Sequence, residues 1–396
     1  MQNILSGIRV LDFGRYIAGP YCATVLADFG AEVIRIEKLA GSEDRYVTPL
    51  TEEQTGDGGL FQQIGQNKLG ITLNPMKEEG REVVKRLVKT ADVVVANLPI
   101  ETLQAMGLDY ESLKAIKEDI ILTHASVFGD EGPYKNRVGF DGLGQAMSGV
   151  MHMSGKDGEP RKLYGPWVDF TTAMMGAVGT MAALQHREKT GEGQLVGTSL
   201  FGSAILISSV TLMEQAMLQL NRVGTANRGQ GAGPADTFKT KDGWVLVQSL
   251  GMPLFERWTK LIGEDHWLDD PRFQTDQQRG DHNHIISERM ATWCAERTTK
   301  EAIAAMDEVR LPCGPVMSPQ EVLEDPHLAA MGLIKKVPYP GFEDGVPLTE
   351  LPIKMSKTDT SMKHRAPTLG EHTDNIMAEL GYSSEEIAEL RSKRVV

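Results

Sequence analysis

The sequence predicts an α/β fold, a Rossmann-like large domain followed by a smaller α+β domain. Three observations predict it. The chain opens on a strand–helix–strand unit, and strands then alternate with helices to about residue 200. After Gln194 the alternation gives way to a long apolar helix, a glycine-rich segment, a hairpin and more helices. At 396 residues the chain is also long for a single core.

Residues 8–13 (IRVLDF) read as a buried strand, 14–20 as a turn, 21–30 as a helix and 31–37 (AEVIRIE) as a second strand. Glu37 ends that strand as an acidic residue does in nicotinamide enzymes. The first turn, however, lacks G-x-G-x-x-G, because bulky Arg15, Tyr16 and Ile17 stand between Gly14 and Gly19. A close pyrophosphate approach needs those glycines, so dinucleotide binding is not expected. A ligand at the carboxyl ends of the strands is. Next come a short strand at 71–73, an amphipathic helix at 78–90, a strand at 92–96 ending at Asn97, a helix at 110–116 and a strand at 120–126. Residues 128–140 form a glycine- and charge-rich loop, in which Lys135 and Arg137 either meet phosphates or are solvated.

Residues 163–187 (LYGPWVDFTTAMMGAVGTMAALQHR) form the stretch around which the chain is organised. After a Gly165-Pro166 turn, a helix is expected to start just past Asp169, with Ala173, Gly176, Thr180 and Ala183 giving it one thin face. Asp169 then sits at the positive end of a helix, which keeps it ionised. An ionised carboxylate in a dry site can act as a nucleophile. The alternative is that Asp169 is only an N-cap.

The longest uncharged run, 194–213, is studded with Gly, Ser and Thr and reads as part of a buried core helix (199–220) rather than a membrane span. Gly229, Gly231 and Gly233 alternate in a segment that is either a mobile lid or a linker. Residues 236–250 read as a hairpin turning at Asp242-Gly243, with helices at 253–262, 284–296 and 300–308. Residues 311–318 lead out, followed by strands at 333–337 and 351–353 and a final helix at 373–394. The expected organisation is a large domain over 1–200, a linker helix over 201–224, a small α+β domain over 225–320, and a linker and tail over 321–396 that returns to the large domain.

A net charge of −13 argues against a nucleic-acid partner but leaves room for a local basic pocket. Cys22, Cys294 and Cys313 lack metal-like spacing and read as free thiols in a reducing compartment. No signal-peptide pattern opens the sequence, so a cytoplasmic protein without a membrane partner is expected. His282 and His284 form H-x-H without a third ligand, so no metal is expected. Neither G-x-S-x-G nor a Walker A motif is present.

Taken in order, LSGIRVLDF (5–13), AGP (18–20), LADFGAEVIRIE (26–37), QNK (66–68), ADVVVAN (91–97), GPYKNRVGFDGLGQAMSG (132–149), the Asp169 segment, TGEGQLV (190–196), TKDGWVLV (240–247), LPCGPV (311–316) and APTLGEHTD (366–374) resemble the class III CoA-transferase family, also called CaiB/BaiF. The resemblance spans nearly the whole chain. It implies an interlocked, obligate homodimer with linkers near 185–225 and 320–335. It also implies acyl-CoA and a carboxylic acid as substrates, with no tightly bound cofactor.

Asp169 matches the family's nucleophile, which passes through an aspartyl anhydride and an aspartyl-CoA thioester. Tyr16, Ile17, Ala18, Lys38, Leu73, Asn97, Leu98, Met106 and Arg137 match the CoA-contact region. Phe140, Asp141, Gly229, Gly231 and Gly233 fall where a substrate pocket or lid is expected. Oxyanion donors are expected among the N–H groups at the start of the Asp169 helix or of the glycine segment. Ile17 and Phe140 replace polar residues of formyl-CoA:oxalate transferases, which disfavours oxalate and favours a larger dicarboxylate or hydroxy acid. Related α-methylacyl-CoA racemases need a histidine base where this chain has Phe140. A non-catalytic acyl-CoA-binding homologue is the remaining alternative.

Overall fold

The computed structural model describes residues 3–50 and 57–396; Met1, Gln2 and residues 51–56, all within the expected large domain, lie outside the described residues. The chain divides into two compact units. The first comprises Met1–Ser148, Tyr164–Leu212 and Ala330–Val396, and the second Gly149–Leu163 and Met213–Ala329. Residues 149–163 differ from the expected boundaries. Lys156 bridges to Thr225, and the Gly155 carbonyl accepts from the Ala226 N–H at 2.8 Å, which binds this excursion to the second unit.

The first unit begins with β1 (Arg9–Asp12), α1 (Ala18–Asp28), β2 (Glu32–Glu37), α2 (Gly59–Gly65), β3 (Lys68–Thr72), α3 (Glu78–Thr90), β4 (Val93–Ala96), α4 (Ile100–Met106), α5 (Tyr110–Ile116), β5 (Ile121–Ser126) and α6 (Asp141–Met147). After α7 (Val150–Met153), which belongs to the second unit, it continues with α8 (Trp167–Thr190) and β6 (Leu195–Ser199). The six strands form one parallel sheet in the order β3-β2-β1-β4-β5-β6, a doubly wound arrangement whose order reverses between β1 and β4. Strands covered by helices on both faces read as near-continuous apolar runs, as VVVA does and ILTHA largely does.

Helix α8 lies close to α1 because its inner face is small. A Cβ on Gly176 would stand 3.2 Å from the Cys22 sulfur, and Thr180 Oγ1 bonds Thr123 Oγ1 of β5 at 2.6 Å. Gly191, in the left-handed region at φ 78°, ends the helix by donating to the Arg187 carbonyl.

Two elements differ from expectation. Residues 195–199, where no strand is expected, form an edge strand because they pair with β5, and the helix expected over 199–220 begins one residue later, at Leu200. Helix α9 (Leu200–Leu218) is not a buried core helix: of its 19 residues only Leu200, Ser203, Ala204 and Ser208 are buried. Its Leu206, Ile207 and Val210 are exposed, beside exposed Met174, Met175 and Val178 on α8. By length and composition it is the one helix among the described residues that could cross a membrane.

The second unit holds β7 (Ala235–Lys239) and β8 (Trp244–Gln248), the expected hairpin. Helices α10 (Met252–Ile262), α12 (Asn283–Ala295) and α13 (Thr299–Glu308) pack on the hairpin through Phe238, Val245, Phe255, Trp258, Ile286, Met290 and Met306, with the short α11 (Asp276–Asp281) leading into α12. Residues 313–315, expected to lead out, instead form β9 (Cys313–Pro315) on the free side of β8. Helices α14 (Pro319–Glu324) and α15 (Pro326–Met331) follow.

The chain then re-enters the first unit as the antiparallel pair β10 (Ile334–Tyr339) and β11 (Phe342–Thr349). Residues 351–353, expected as a strand, are not one. The expected final helix is two, α16 (Thr373–Glu379) and α17 (Ser384–Ser392), because Gly381 turns at φ 87° and Ser383 starts a new capping box. Both pack on the core of the sheet, with Ile376, Met377, Ile387, Leu390, Val395 and Val396 in the same cluster as Leu11 and Ile34.

Charges buried between the first three strands fix the turn after β1. Arg35 of β2 reaches Asp12 of β1 at 3.2 Å, Asp44 at 2.6 Å and the Gly14 carbonyl at 2.7 Å. Lys68 of β3 reaches the same Asp12 oxygen at 2.9 Å and the Pro20 carbonyl at 2.6 Å. Burial alone would raise the Asp12 carboxyl; Lys68, Arg35 and the Gly14 N–H overcome it and hold it at about 2. A carboxyl depressed in the folded state stabilises fully above its unfolded value near 4, and that contribution fades as the pH falls towards about 2. Asp12→Asn leaves the buried Lys68 without a carboxylate and Arg35 with Asp44 alone, and is expected to cost about 3–5 kcal/mol at pH 7. Urea unfolding of both forms at stepped pH should show the gap closing between pH 4 and 2.

Candidate active site

Open α/β sheets bind ligands outside the carboxyl ends of their strands where the strand order reverses, here after β1 and β4. Asn97 ties the two loops at that point together. Its Oδ1 accepts from the Arg15 N–H at 2.6 Å and its Nδ2 donates to the Arg15 carbonyl at 2.8 Å. Tyr16 takes φ 58°, a left-handed conformation that costs a residue with a Cβ, and is held there by its N–H bond to Asp44 at 3.0 Å. Gly14 and Gly19 face each other rather than a ligand: a Cβ on Gly19 would meet the Gly14 Cα at 3.0 Å. Glu37 is spent on Arg45, at 2.9 and 2.6 Å, and does not reach for a ribose.

Asp169 lies in the first turn of α8, but Pro166 is the N-cap. The capping oxygen comes from Asp141, at the start of α6, which accepts from the N–H groups of Val168 (2.8 Å) and Asp169 (3.2 Å). Its other oxygen accepts from Gln145 Nε2 at 2.5 Å. These two N–H groups are therefore not the oxyanion donors expected from the sequence. The expectation that the helix end keeps Asp169 ionised is also corrected. Burial, and then the negative charge of Asp141, push the Asp169 carboxyl up to about 7, with no hydrogen bond opposing them. Asp169 is half-buried, and its basic carboxylate has no hydrogen-bond partner among the described residues. Val168 packs with Ala18, Ala125 and Leu200, which fixes the start of α8 against the start of α1.

Of the expected contact residues, Tyr16, Ile17 and Ala18 form the turn into α1, with Ile17 as its N-cap. The Phe140 ring, 64% exposed, meets the Tyr16 ring edge-on at 5.3 Å, so these two and the Asp141–Asp169 pair share one end of the sheet. Lys38 is exposed just past β2 and ion-paired with Glu43. Arg137 is exposed and lies over the rings of Phe128 and Tyr134.

The side chains of Leu73 and Met106 are 1% and 6% exposed in the main core, where the apolar sequence around them belongs. Leu98 packs against that core and its carbonyl lies 2.9 Å from His124 Nε2. Asn97 clamps the two loops together, and Asp141 caps α8.

The glycine segment belongs to the second unit and is pinned there. Asn283 Nδ2 donates to the Gly229 carbonyl at 2.8 Å, and a Cβ on Gly233 would meet Asn283 Oδ1 at 2.7 Å. Gly231 alone of the three is open.

Sequence reasoning missed the roles of Asp12, Arg35, Asp44 and Lys68. The signal was present as charged residues set among the apolar ones of three neighbouring strands, with Asp12 opposite Arg35 in register.

A doubly wound parallel sheet with the Asp141–Asp169 pair at the end that carries its switch point is the architecture of an α/β enzyme. The profile of CoA-transferase family III matches residues 5–373, and the chain belongs to that family. It is 31% identical over 395 residues to succinyl-CoA–D-citramalate CoA-transferase of Chloroflexus aurantiacus, covering 99% of this chain and 98% of that one. It is 33% identical over 402 residues to succinyl-CoA:mesaconate CoA-transferase of Haloarcula marismortui, covering 96% and 97%. Among solved structures, a CaiB/BaiF family protein from Brucella suis superposes with a TM-score of 0.83 at 30% identity, over 96% of this chain and 100% of that one. CoA thioesters are the substrates of such enzymes.

Replacing Asp141 by Asn keeps an oxygen for the two N–H groups and removes the charge. The Asp169 carboxyl is then expected to titrate below about 7, and carbon NMR of labelled aspartate would read the shift. An unmoved Asp169 resonance would show that burial alone sets its value.

Proposed function

We propose that the protein moves CoA from an acyl-CoA to a carboxylic acid, with Asp169 as the nucleophile. The Asp169 carboxylate attacks the thioester carbonyl, the C–S bond breaks, and a mixed anhydride and CoA thiolate result. The thiolate attacks the aspartyl carbonyl, giving aspartyl-CoA thioester and releasing the donor acid. The acceptor carboxylate attacks that thioester and forms a second anhydride with loss of thiolate. The thiolate then attacks the acceptor carbonyl, giving the new acyl-CoA and free Asp169. Each intermediate conserves the activation of the original thioester.

The observation that carries this reading is the basic, unbonded carboxylate of Asp169, since nucleophilicity of a carboxylate rises with its basicity. Tyr16, Ile17 and Ala18 at the switch point, with Lys38 and Arg137 exposed, are the side of the unit we assign to CoA. Succinyl-CoA, named in both curated relatives above, is the first donor to test, with citramalate and mesaconate as acceptors. Incubation with the acyl-CoA, a hydroxylamine quench and mass spectrometry of the tryptic peptide 163–187 is expected to show modification confined to Asp169. Asp169→Asn should lose it, with transfer falling on the order of a thousandfold or more. An unmodified Asp169 in the presence of an acyl-CoA that binds would sink the covalent mechanism. Ionised Asp169 is the reactive form, so at saturating substrate the labelling rate should climb as the pH rises through about 7.

We also assign the protein a homodimeric state. The exposed apolar side chains of α8 and α9, including Met174, Val178, Leu206 and Val210, support this reading, since such a patch is costly in water. Light scattering should give twice the chain mass, and Leu206→Glu with Val210→Glu should shift it towards the monomer. A wild-type monomer at micromolar concentration would refute the assignment.

A further inference from the structure

We propose that Gln145 is a positioning residue for Asp169: its amide holds Asp141 and the Gly165 carbonyl together at the start of α8, and so fixes where the Asp169 carboxylate stands. The inference rests on the reading of Asp169 as the nucleophile. Gln145 lies one turn after Asp141 on the same face of α6 and is fully buried. Its Nε2 donates to Asp141 Oδ1 at 2.5 Å and, over a longer 3.4 Å, to the Gly165 carbonyl. A side-chain amide nitrogen carries two hydrogens, so one atom serves both acceptors. Gly165, at φ 87°, turns the chain into Pro166 and the first turn of α8. Gly144 seats α6 against that same turn, since a Cβ there would stand 2.9 Å from Val168 Cγ1. Three residues of α6 thus bear on the four residues that lead into Asp169, and only Gln145 reaches both the cap and the turn before it.

The consequence for Asp169 comes through charge as well as place. Asp141 turns one oxygen to the N–H groups of Val168 and Asp169 and the other to Gln145, so it faces three donors where the Asp169 carboxylate faces none among the described residues. Donors favour the charged form of the carboxylate they meet. A proton shared by the two neighbours therefore sits on Asp169, whose carboxyl burial and Asp141 push up to about 7. An apolar side chain of similar length at 145 removes one donor, frees the Asp141 carboxylate to rotate off the end of α8 and lets it compete for that proton. Both effects lower the proton affinity of Asp169. A carboxylate at 145 acts in the opposite sense, because it sets a further negative charge beside the pair. A residue that served only the folding of α6 would leave the titration of Asp169 where it is.

The test compares Gln145→Met and Gln145→Glu in the full-length protein, following Asp169 by carbon NMR of labelled aspartate without substrate. The Asp169 midpoint is expected to fall below about 7 in Gln145→Met and to rise above it in Gln145→Glu. With saturating acyl-CoA, kcat of Gln145→Met should drop on the order of tenfold at unchanged KM, because a fully buried amide orients the carboxylate without touching substrate. Midpoints that stay put in both variants, shifts of the same sign in both, or a loss confined to KM would overturn the assignment. Should Gln145→Met fail to fold, the Gln145→Glu midpoint decides alone, and an unmoved value refutes the role. The titration needs no adduct, so a wild-type protein that never labels at Asp169 would remove the nucleophile and leave the NMR result standing, and the two readings fail separately.

Discussion

Asp12 is the residue on which the rest of the first unit depends. It gathers Arg35 and Lys68 from the two next strands of the sheet, and those cations also hold the carbonyls of Gly14 and Pro20 on either side of the turn into α1. Charges this deeply buried are tolerable only when each has partners on several sides. The arrangement adds little net stability over a well-packed apolar core, and what it secures is geometry. The turn cannot move without uncovering an ion. Tyr16 in its left-handed conformation and the Asn97 clamp on Arg15 are both consequences of a turn fixed from below.

The unit contains a second carboxylate arrangement with the opposite outcome. Asp12 is fully buried and held near 2 by cations, whereas Asp169 is half-buried and pushed to about 7 by burial and by Asp141. Identical side chains thus differ in basicity because their surroundings differ. Asp141 links order to reactivity, because the oxygen that fixes the first turn of α8 belongs to the charge that raises its neighbour. The environment of Asp169 is set from the start of α6 and not from the sheet.

Much of this was legible in the sequence. The opening βαβ unit, the small face of α8 and the hairpin at Asp242-Gly243 follow from periodicity and turn chemistry, which are local. Asp169 stood out because of its place before an unbroken small-residue run. What stayed hidden was set by tertiary partners. Residues 195–199 became a strand only because β5 offered an edge, and α9 is apolar without being buried. Asp141 and Asp169 are distant in sequence, and no local pattern says that one caps the other's helix. Leu73 and Met106 sit next to ligand-type positions in the chain, yet their side chains point into the core, a distinction that needs the register of the fold.

The return of the C-terminal stretch has a consequence for how the protein is made. Asn74, just after β3, donates to the Val395 carbonyl at 2.8 Å, and α16 and α17 complete the apolar cluster begun by Leu11. On the ribosome, the first three strands emerge early and wait for almost the entire remaining polypeptide before that cluster can close. Contacts so far apart in sequence form slowly, and meanwhile the flank of the nascent sheet stays open to wrong partners. The same tether that finishes the native core therefore makes synthesis, rather than the folded state, the vulnerable stage of this protein's life.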